Sequence, residues 1–215
     1  MREVVVRPVA SVPPSPSVPD APRLDRDAIR AALTGPRAPL YARADALRRE
    51  RMGEAVFLRG IVEFSNLCAN DCLYCGIRRS NRAVHRYHMD DDEILAVARR
   101  MKGWGHGTIV LQSGEVDGRR ENDRIARVIE RIRRDTALSV TVSAGNRAPD
   151  VYARWRAAGM ERYLLRFETS DPALFARLHP NCSLDERLDC LRTLGALGVQ
   201  VGSGFMIGLP GSDLD

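Results

Sequence analysis

At 215 residues and a net charge of +5, the chain has the length of one domain or a large piece of one, enough to bury a real core. Its apolar runs fall far short of the roughly 20 residues a membrane span needs, and no charged-then-apolar leader with a small-residue cleavage site opens it. Its arginines are scattered among acidic residues rather than gathered in an aromatic-studded basic stripe. Membrane insertion and nucleic-acid binding are therefore not expected, and five cysteines without a scaffold-like spacing fit a reducing, cytoplasmic location.

Residues 1–22 carry six of the twelve prolines. Proline at that density removes backbone donors and resists helix and sheet alike, so a flexible extension is expected there. Residues 23–53 read as a helical preface. Ile29, Ala32 and Leu33 share one face, Gly35-Pro36 breaks it, and a second amphipathic helix covers about Leu40 to Met52.

From residue 54 onward one unit repeats. Ala55–Phe64 reads as a buried strand. Asp90 and Glu93 form a helix cap of the Asp-x-x-Glu kind ahead of an apolar stripe at Ile94, Val97, Ala98 and Met101, and Gly103 and Gly105 end that helix. Thr108–Gln112 is the next strand, Ile125, Val128, Ile129 and Ile132 stripe the next helix, and Leu138–Ser143 is the third strand. A helix from about Pro149 to Ala158 stops at Gly159, Tyr163–Phe167 is the fourth strand, and Asp171-Pro172 opens a short helix. Ser183 and Glu186 cap another helix, and Val199–Ile207 is the fifth strand. Strand and helix in alternation require a parallel sheet covered by helices. The expected fold is α/β, a (β/α) barrel of TIM-like type occupying 54–215 and cut after about five units, because an open sheet would leave an unpaired edge.

Function in such folds sits on loops at the C-terminal ends of strands. The loop after the first strand carries Cys68, Cys72 and Cys75, three of the five cysteines within eight positions. Thiolates that close repel one another unless a metal or cluster takes up their charge, and a disulfide would leave one thiol over. The spacing Cys-x3-Cys-x2-Cys offers no fourth thiolate, so a cubane held here keeps one iron open to a small molecule. A structural zinc completed by His85 or His88 is the competing reading. Tyr74, directly before the third cysteine, suits a flat partner beside a cluster. After the second strand come Gln112, Ser113, Gly114 and Glu115, a ligand-approach glycine followed by a carboxylate, or else an ordinary turn. The third strand ends in Thr141 and Ser143, two hydroxyls on one face. The fourth ends in Arg166 and Glu168, a charged pair expected on a common face, as a task-bearing pair or a structural salt bridge.

The motif Cys-x3-Cys-x-aromatic-Cys resembles the signature of the radical S-adenosylmethionine (SAM) superfamily, in which SAM chelates the open iron of a [4Fe–4S] cluster. Reductive cleavage then gives a 5′-deoxyadenosyl radical. Ser113-Gly114-Glu115 resembles the superfamily's Gly-Gly-Glu motif, which holds the SAM ammonium. The series from Phe64-Ser65-Asn66 through Arg162–Thr169, Leu178-His179-Pro180 and Gly204–Gly211 resembles more narrowly the HydE family, radical SAM maturases of FeFe-hydrogenase, from about Phe57 to Gly211. The resemblance implies cluster ligation by Cys68, Cys72 and Cys75, and SAM contacts by Ser143, Glu168 at the ribose and Arg187 at the carboxylate. Without it, Arg187 reads as a surface arginine in the first turn of a helix. Arg59, pointing inward from the first strand, and Gln112 match positions lining the substrate cavity. Asn146 after Gly145 departs from the acidic residue of the family pattern.

The resemblance further implies a small organometallic substrate, a cysteine-bound iron carrying carbon monoxide and cyanide. It also implies an electron donor such as ferredoxin or flavodoxin, and other hydrogenase maturases as partners. A methylornithine synthase-like mutase, with an amino-acid-derived substrate, is the alternative within the same chemistry. A non-catalytic iron–sulfur or zinc protein is the alternative outside it. Cys182 and Cys190 read as isolated thiols, and His85, His88, His106 and His179 show no ligand pairing at helical spacing.

Overall fold

Two periodicities organise the chain: apolar stripes at 3.6-residue spacing, which must find a neighbour, and short β-branched runs, which must find partners for their amides. The computed structural model describes residues 24–54 and 58–212, in two compact units. The proline-rich stretch 1–22 and the start of the first strand as read from the sequence, at Ala55, lie outside the described residues.

In the first unit, α1 (Arg26–Thr34) is capped by Asp25, whose carboxylate accepts from the Ala28 amide at 2.8 Å, and α2 (Arg37–Met52) follows the break at Gly35 and Pro36. Neither helix buries a residue.

The second unit runs β1 (Gly60–Ser65), α3 (Asp91–Gly103), β2 (Thr108–Ser113), α4 (Arg119–Thr136), β3 (Ser139–Ser143), α5 (Pro149–Ala157), β4 (Met160–Leu164), α6 (Pro172–Leu178), α7 (Leu184–Ala196) and β5 (Gln200–Gly202). The five strands pair in chain order, all parallel. This is the wall of a (β/α) barrel. The sequence sets the helix starts: Asp90 with Glu93 and Ser183 with Glu186 each close a reciprocal capping box, and Asp171 caps α6.

Alternation along the strands separates two faces. Ile109, Leu111, Val140, Val142 and Tyr163 point one way and pack with Leu95, Ala98, Ile129, Ile132 and Trp155 of the helices, forming the core. The other face carries Glu63, Gln112, Ser143 and Arg162. Ile61 on that face is 59% exposed, whereas its neighbour Val62 on the helix side is 4% exposed. The inner face is thus polar and open while the outer face supplies the packing.

β4 and β5 differ in extent from the strands read in the sequence. β4 begins at Met160, not Tyr163, because charged Glu161 and Arg162 sit at accessible positions where they find partners: Glu161 accepts from Ser139 Oγ, and Arg162 bonds Gln200. It ends before Phe167, and Glu168, at φ 64°, leaves the extended region altogether. β5 is three residues long rather than Val199–Ile207. Beyond Gly202 only a single bridge, Glu168 with Phe205, continues the ladder, and Ile207 is 90% exposed.

Candidate functional site

The cysteine loop leaves β1 at Ser65 and is bound into shape by backbone carbonyls. Arg86 donates from Nη1 to the carbonyls of Asn66 and Ile77, and from Nη2 to those of Arg78 and Asn81, at 2.6–3.2 Å. One guanidinium so ties the two limbs of the loop together. Asn66 adds a second tie, donating to the His85 carbonyl and accepting from the Tyr87 amide. Asp71 accepts from the Ser80 amide and from Arg79. Two backbone bonds dock the loop onto neighbouring elements: Ala69 N–H to the Glu115 carbonyl after β2 at 2.8 Å, and Leu73 N–H to the Leu178 carbonyl at the end of α6 at 3.0 Å.

Around it lies a cavity of about 240 Å³ lined by residues from the ends of β1 to β4 and from α7. The sequence candidates Cys68, Cys72, Tyr74, Cys75, Gln112, Gly114, Glu115, Ser143, Glu168 and Arg187 line it, and Thr141 and Arg59 do not. Arg59 precedes β1, exposed at the end of the strand opposite the cysteines. The length of β1 separates it from the cavity.

Each strand end positions its group locally. Gly114 follows β2 where any side chain would strike the Leu67 carbonyl oxygen at 2.1 Å. Glu115 is then fixed by the next loop, its Oε2 accepting from the Asn146 amide at 3.0 Å. Gly145, at φ +86°, brings that loop against the Glu115 carboxylate. Arg147 anchors both loops from beneath: its buried guanidinium donates to Asn122 Oδ1, to the Asn146 carbonyl and to the Val116 carbonyl. Gln112 Nε2 donates to Glu63 Oε1 at 2.8 Å, joining two inner-face side chains.

The electrostatics are those of a site built for a charged guest. Burial first, and then Cys68 and Cys75 nearby, push the Cys72 thiol up to about 11. Burial raises the Glu168 carboxyl against the lowering influence of Arg166 and Arg187, and burial depresses His179 to about 4, helped by Arg187. Glu168 Oε2 and Arg187 Nε are buried without a hydrogen-bond partner. Such groups are costly unless something satisfies them. Arg187 is only 6% exposed, so the surface reading of its helix position gives way: α7 turns its first turn into the cavity.

Arg166 and Glu168 both line the cavity but make no ion pair, because the positive φ at Glu168 breaks the alternation that would have kept them parallel. His85 and His88 do not reach the thiols. The His85 carbonyl serves Asn66, and the His88 ring meets Glu121 at 3.2 Å and Arg124 at 2.9 Å. Among the described residues no three His, Cys, Asp or Glu side chains are arranged to hold one metal ion, whereas a cubane takes each thiolate on a different iron. Cys182 and Cys190 are free thiols, the first accepting from Asn146 Nδ2. The sequence reading missed Arg86, Arg147 and His179. Their only signal was the Leu178-His179-Pro180 run, since the partners of all three are distant or are backbone carbonyls.

The family model described as the radical SAM superfamily matches residues 62–215. The chain belongs to the radical SAM superfamily. A relative named [FeFe] hydrogenase maturase subunit HydE, from Thermotoga maritima, is 42% identical over 194 residues, covering 88% of this chain and 55% of that protein. 3-Methylornithine synthase of Methanosarcina acetivorans is 27% identical over 82% of this chain and 50% of its own. The crystal structure of methylornithine synthase (PylB) superposes with a TM-score of 0.82 at 26% identity, covering 89% of this chain and 58% of that one. The chain spans about half the length of these relatives.

The radical SAM cofactors, a [4Fe–4S] cluster and SAM, fit the residues present. The three crowded thiols of Cys68, Cys72 and Cys75 would hold the cluster. The orphaned Glu168 Oε2 and Arg187 Nε offer an acceptor and a donor to a zwitterionic nucleoside, and Gly114 lets the β2 loop lie against the Leu67 backbone and the Cβ of Cys68. No helix among the described residues is long and apolar enough to cross a membrane.

Proposed function

We propose that this chain carries the radical SAM site of a HydE-type maturase of FeFe-hydrogenase. The observation that carries the reading is the convergence of Cys68, Cys72 and Cys75 with the unsatisfied Glu168 and Arg187 on one cavity. When bound and reduced, a [4Fe–4S] cluster bearing SAM supplies an electron that cleaves the sulfonium and yields a 5′-deoxyadenosyl radical. Cys68, Cys72 and Cys75 would hold the cluster, leaving it able to take the amino-acid end of SAM. Glu115, fixed by the Asn146 amide, faces the ammonium, Arg187 pairs with the carboxylate, and Glu168 accepts from the ribose hydroxyls. Ser143, at the end of β3, adds a hydroxyl on the inner face, and Tyr74 closes the cluster side of the cavity.

The substrate in this reading is a cysteine-bound iron carrying carbon monoxide and cyanide. Gln112, oriented by Glu63, offers an amide toward the anionic ligands from the inner face. A ferredoxin- or flavodoxin-type protein supplies the electron. The 42% identity to a HydE protein, against 27% to a methylornithine synthase, favours the maturase over the mutase.

The test is to reconstitute the full-length protein with iron and sulfide under anaerobic conditions, reduce it and record EPR spectra with and without SAM. A [4Fe–4S] signal that shifts on SAM addition is expected. About one zinc per chain, or a cluster signal indifferent to SAM in folded protein, overturns the reading.

A further inference from the structure

His179 lies 107 residues from Cys72 in the chain, yet its Nδ1 stands 3.2 Å from the Cys72 sulfur, while its Nε2 meets the Tyr74 hydroxyl. The ring is 5% exposed and held on three sides. It stacks on Phe175 with centroids 4.6 Å apart and planes at 12°, and Tyr74 meets it edge-on at 5.3 Å and 71°. Its own amide donates to the Phe175 carbonyl at 2.7 Å. One residue earlier, the Leu178 carbonyl takes the Leu73 amide of the cysteine loop. The end of α6 is therefore docked on the cysteine loop by backbone and side chain together. Among the described residues no other side chain reaches a sulfur of the triad within hydrogen-bond distance.

We propose that His179 is a positioning residue of the cluster, donating a hydrogen bond from Nδ1 to the Cys72 thiolate, with its tautomer locked by the Tyr74 hydroxyl, and that it thereby raises the cluster's reduction potential. The inference rests on the reading of Cys68, Cys72 and Cys75 as cluster ligands. A ligating thiolate can only accept, so Nδ1 must carry the proton. A neutral imidazole then has a bare Nε2, and the Tyr74 O–H supplies the matching donor. The relay runs Tyr74 to His179 to Cys72. A donor aimed at a cluster thiolate stabilises the reduced, more negative state, which is how hydrogen bonds to sulfur tune these centres. Tyr74 acquires a task besides facing a bound ligand: it holds the ring that holds the sulfur.

The experiment is potentiometric EPR of the reconstituted full-length protein and its variants. His179→Phe keeps the stacking on Phe175 but removes the donor, and its potential is expected to move negative. His179→Asn places an amide N–H near the former Nδ1 and is expected to recover most of the shift. In parallel, wild-type protein labelled with ¹⁵N-histidine is examined by electron–nuclear resonance, which needs no variant to fold. A nitrogen coupling to the reduced cluster that disappears in His179→Asn is expected. Equal potentials in wild type and His179→Phe, or no ¹⁵N coupling in wild type, overturn the inference while leaving a SAM-responsive cluster intact. Failure of the wild type to assemble any cubane overturns the proposed function instead.

Discussion

The backbone amide of Ala69 donates to the carbonyl of Glu115 at 2.8 Å, so the loop that carries the thiols and the loop that carries the carboxylate are one construction. Gly114 lies in the seam. The Gly114 amide donates to the Ser65 carbonyl at 3.1 Å, extending the β1–β2 pairing to the edge of the cavity. The distance between the sulfur of Cys68 and the acid of Glu115 is thereby set by backbone hydrogen bonds rather than by flexible side chains.

Gly114→Ala should open that seam. A Cβ there would stand 2.1 Å from the Leu67 carbonyl oxygen and 2.8 Å from Cys68 Cβ, and a backbone oxygen cannot yield as a side-chain tip does. Overpacking of this kind costs about 1–3 kcal/mol. Iron bound after reconstitution should fall below half the wild-type level, with a lowered Tm. Full iron loading at unchanged Tm would show that the loop tolerates the displacement.

Gly145→Ala should separate cofactor binding from cluster binding. Its φ of +86° disfavours any side chain, and a Cβ would meet Glu115 Oε2 at 2.0 Å. The cysteines are not touched. Iron content should remain near wild type while the SAM-induced EPR shift requires at least tenfold more SAM. Equal loss of both would mean that the two loops move as one body.

Arg86→Lys should behave as a loss, not a conservative change. The guanidinium serves four carbonyls through two nitrogens, and an ammonium on a shorter reach cannot span them. Carbonyls left without donors cost about 1–3 kcal/mol each when buried, less here because the loop is partly exposed. A urea midpoint lowered by the equivalent of about 2 kcal/mol, with faster proteolysis between residues 66 and 89, is the expected result.

How far the sequence reaches is visible in single residues. The helix starts at Asp90, Asp171 and Ser183 were readable because a cap is local chemistry: donor, acceptor and spacing all lie within four residues. The thiols, Gly114 and Glu115 were readable because strand-end loops are where a parallel sheet keeps its function. The end of β5 was not, since Phe205, Met206 and Ile207 have the composition of a strand but stand at least a third exposed. Arg59 shows the limit of twofold parity, which fixes the face of a strand and says nothing of the height along it. Arg147 and His179 were illegible for another reason: the groups they serve are 25 to 107 residues away or are carbonyls, which sequence does not mark.

The apoprotein should lose stability in mild alkali through Cys72. Its thiol is raised from 9.0 to about 11 in the fold. A group whose folded value is raised contributes stability below its unfolded value and loses that contribution as pH climbs through the folded one. The window is therefore about pH 9 to 11. Two units correspond to about 2.7 kcal/mol at most, and a half-exposed thiol reduces this to about 1 kcal/mol. Thermal melts of apoprotein at pH 8 and pH 10 should show a drop that Cys72→Ser diminishes. Identical drops in both proteins would assign the alkaline loss to other groups, such as the buried tyrosines.

Arg187→Met should trade function for stability. The guanidinium is 6% exposed, and its Nε lacks any hydrogen-bond partner, so the ligand-free protein carries an underpaired buried cation. A buried charge without hydrogen-bond partners is costly to the fold, and an apolar side chain of similar length removes that cost. The apoprotein of Arg187→Met should accordingly melt no lower than wild type, and higher if Glu168 takes up its proton once the neighbouring cation is gone. The same variant should bind iron normally and lose the SAM-dependent EPR shift, because the carboxylate of SAM has lost its partner. A variant that melts well below wild type would instead make Arg187 a structural partner of Glu168, with the cavity's unsatisfied nitrogen a consequence of packing.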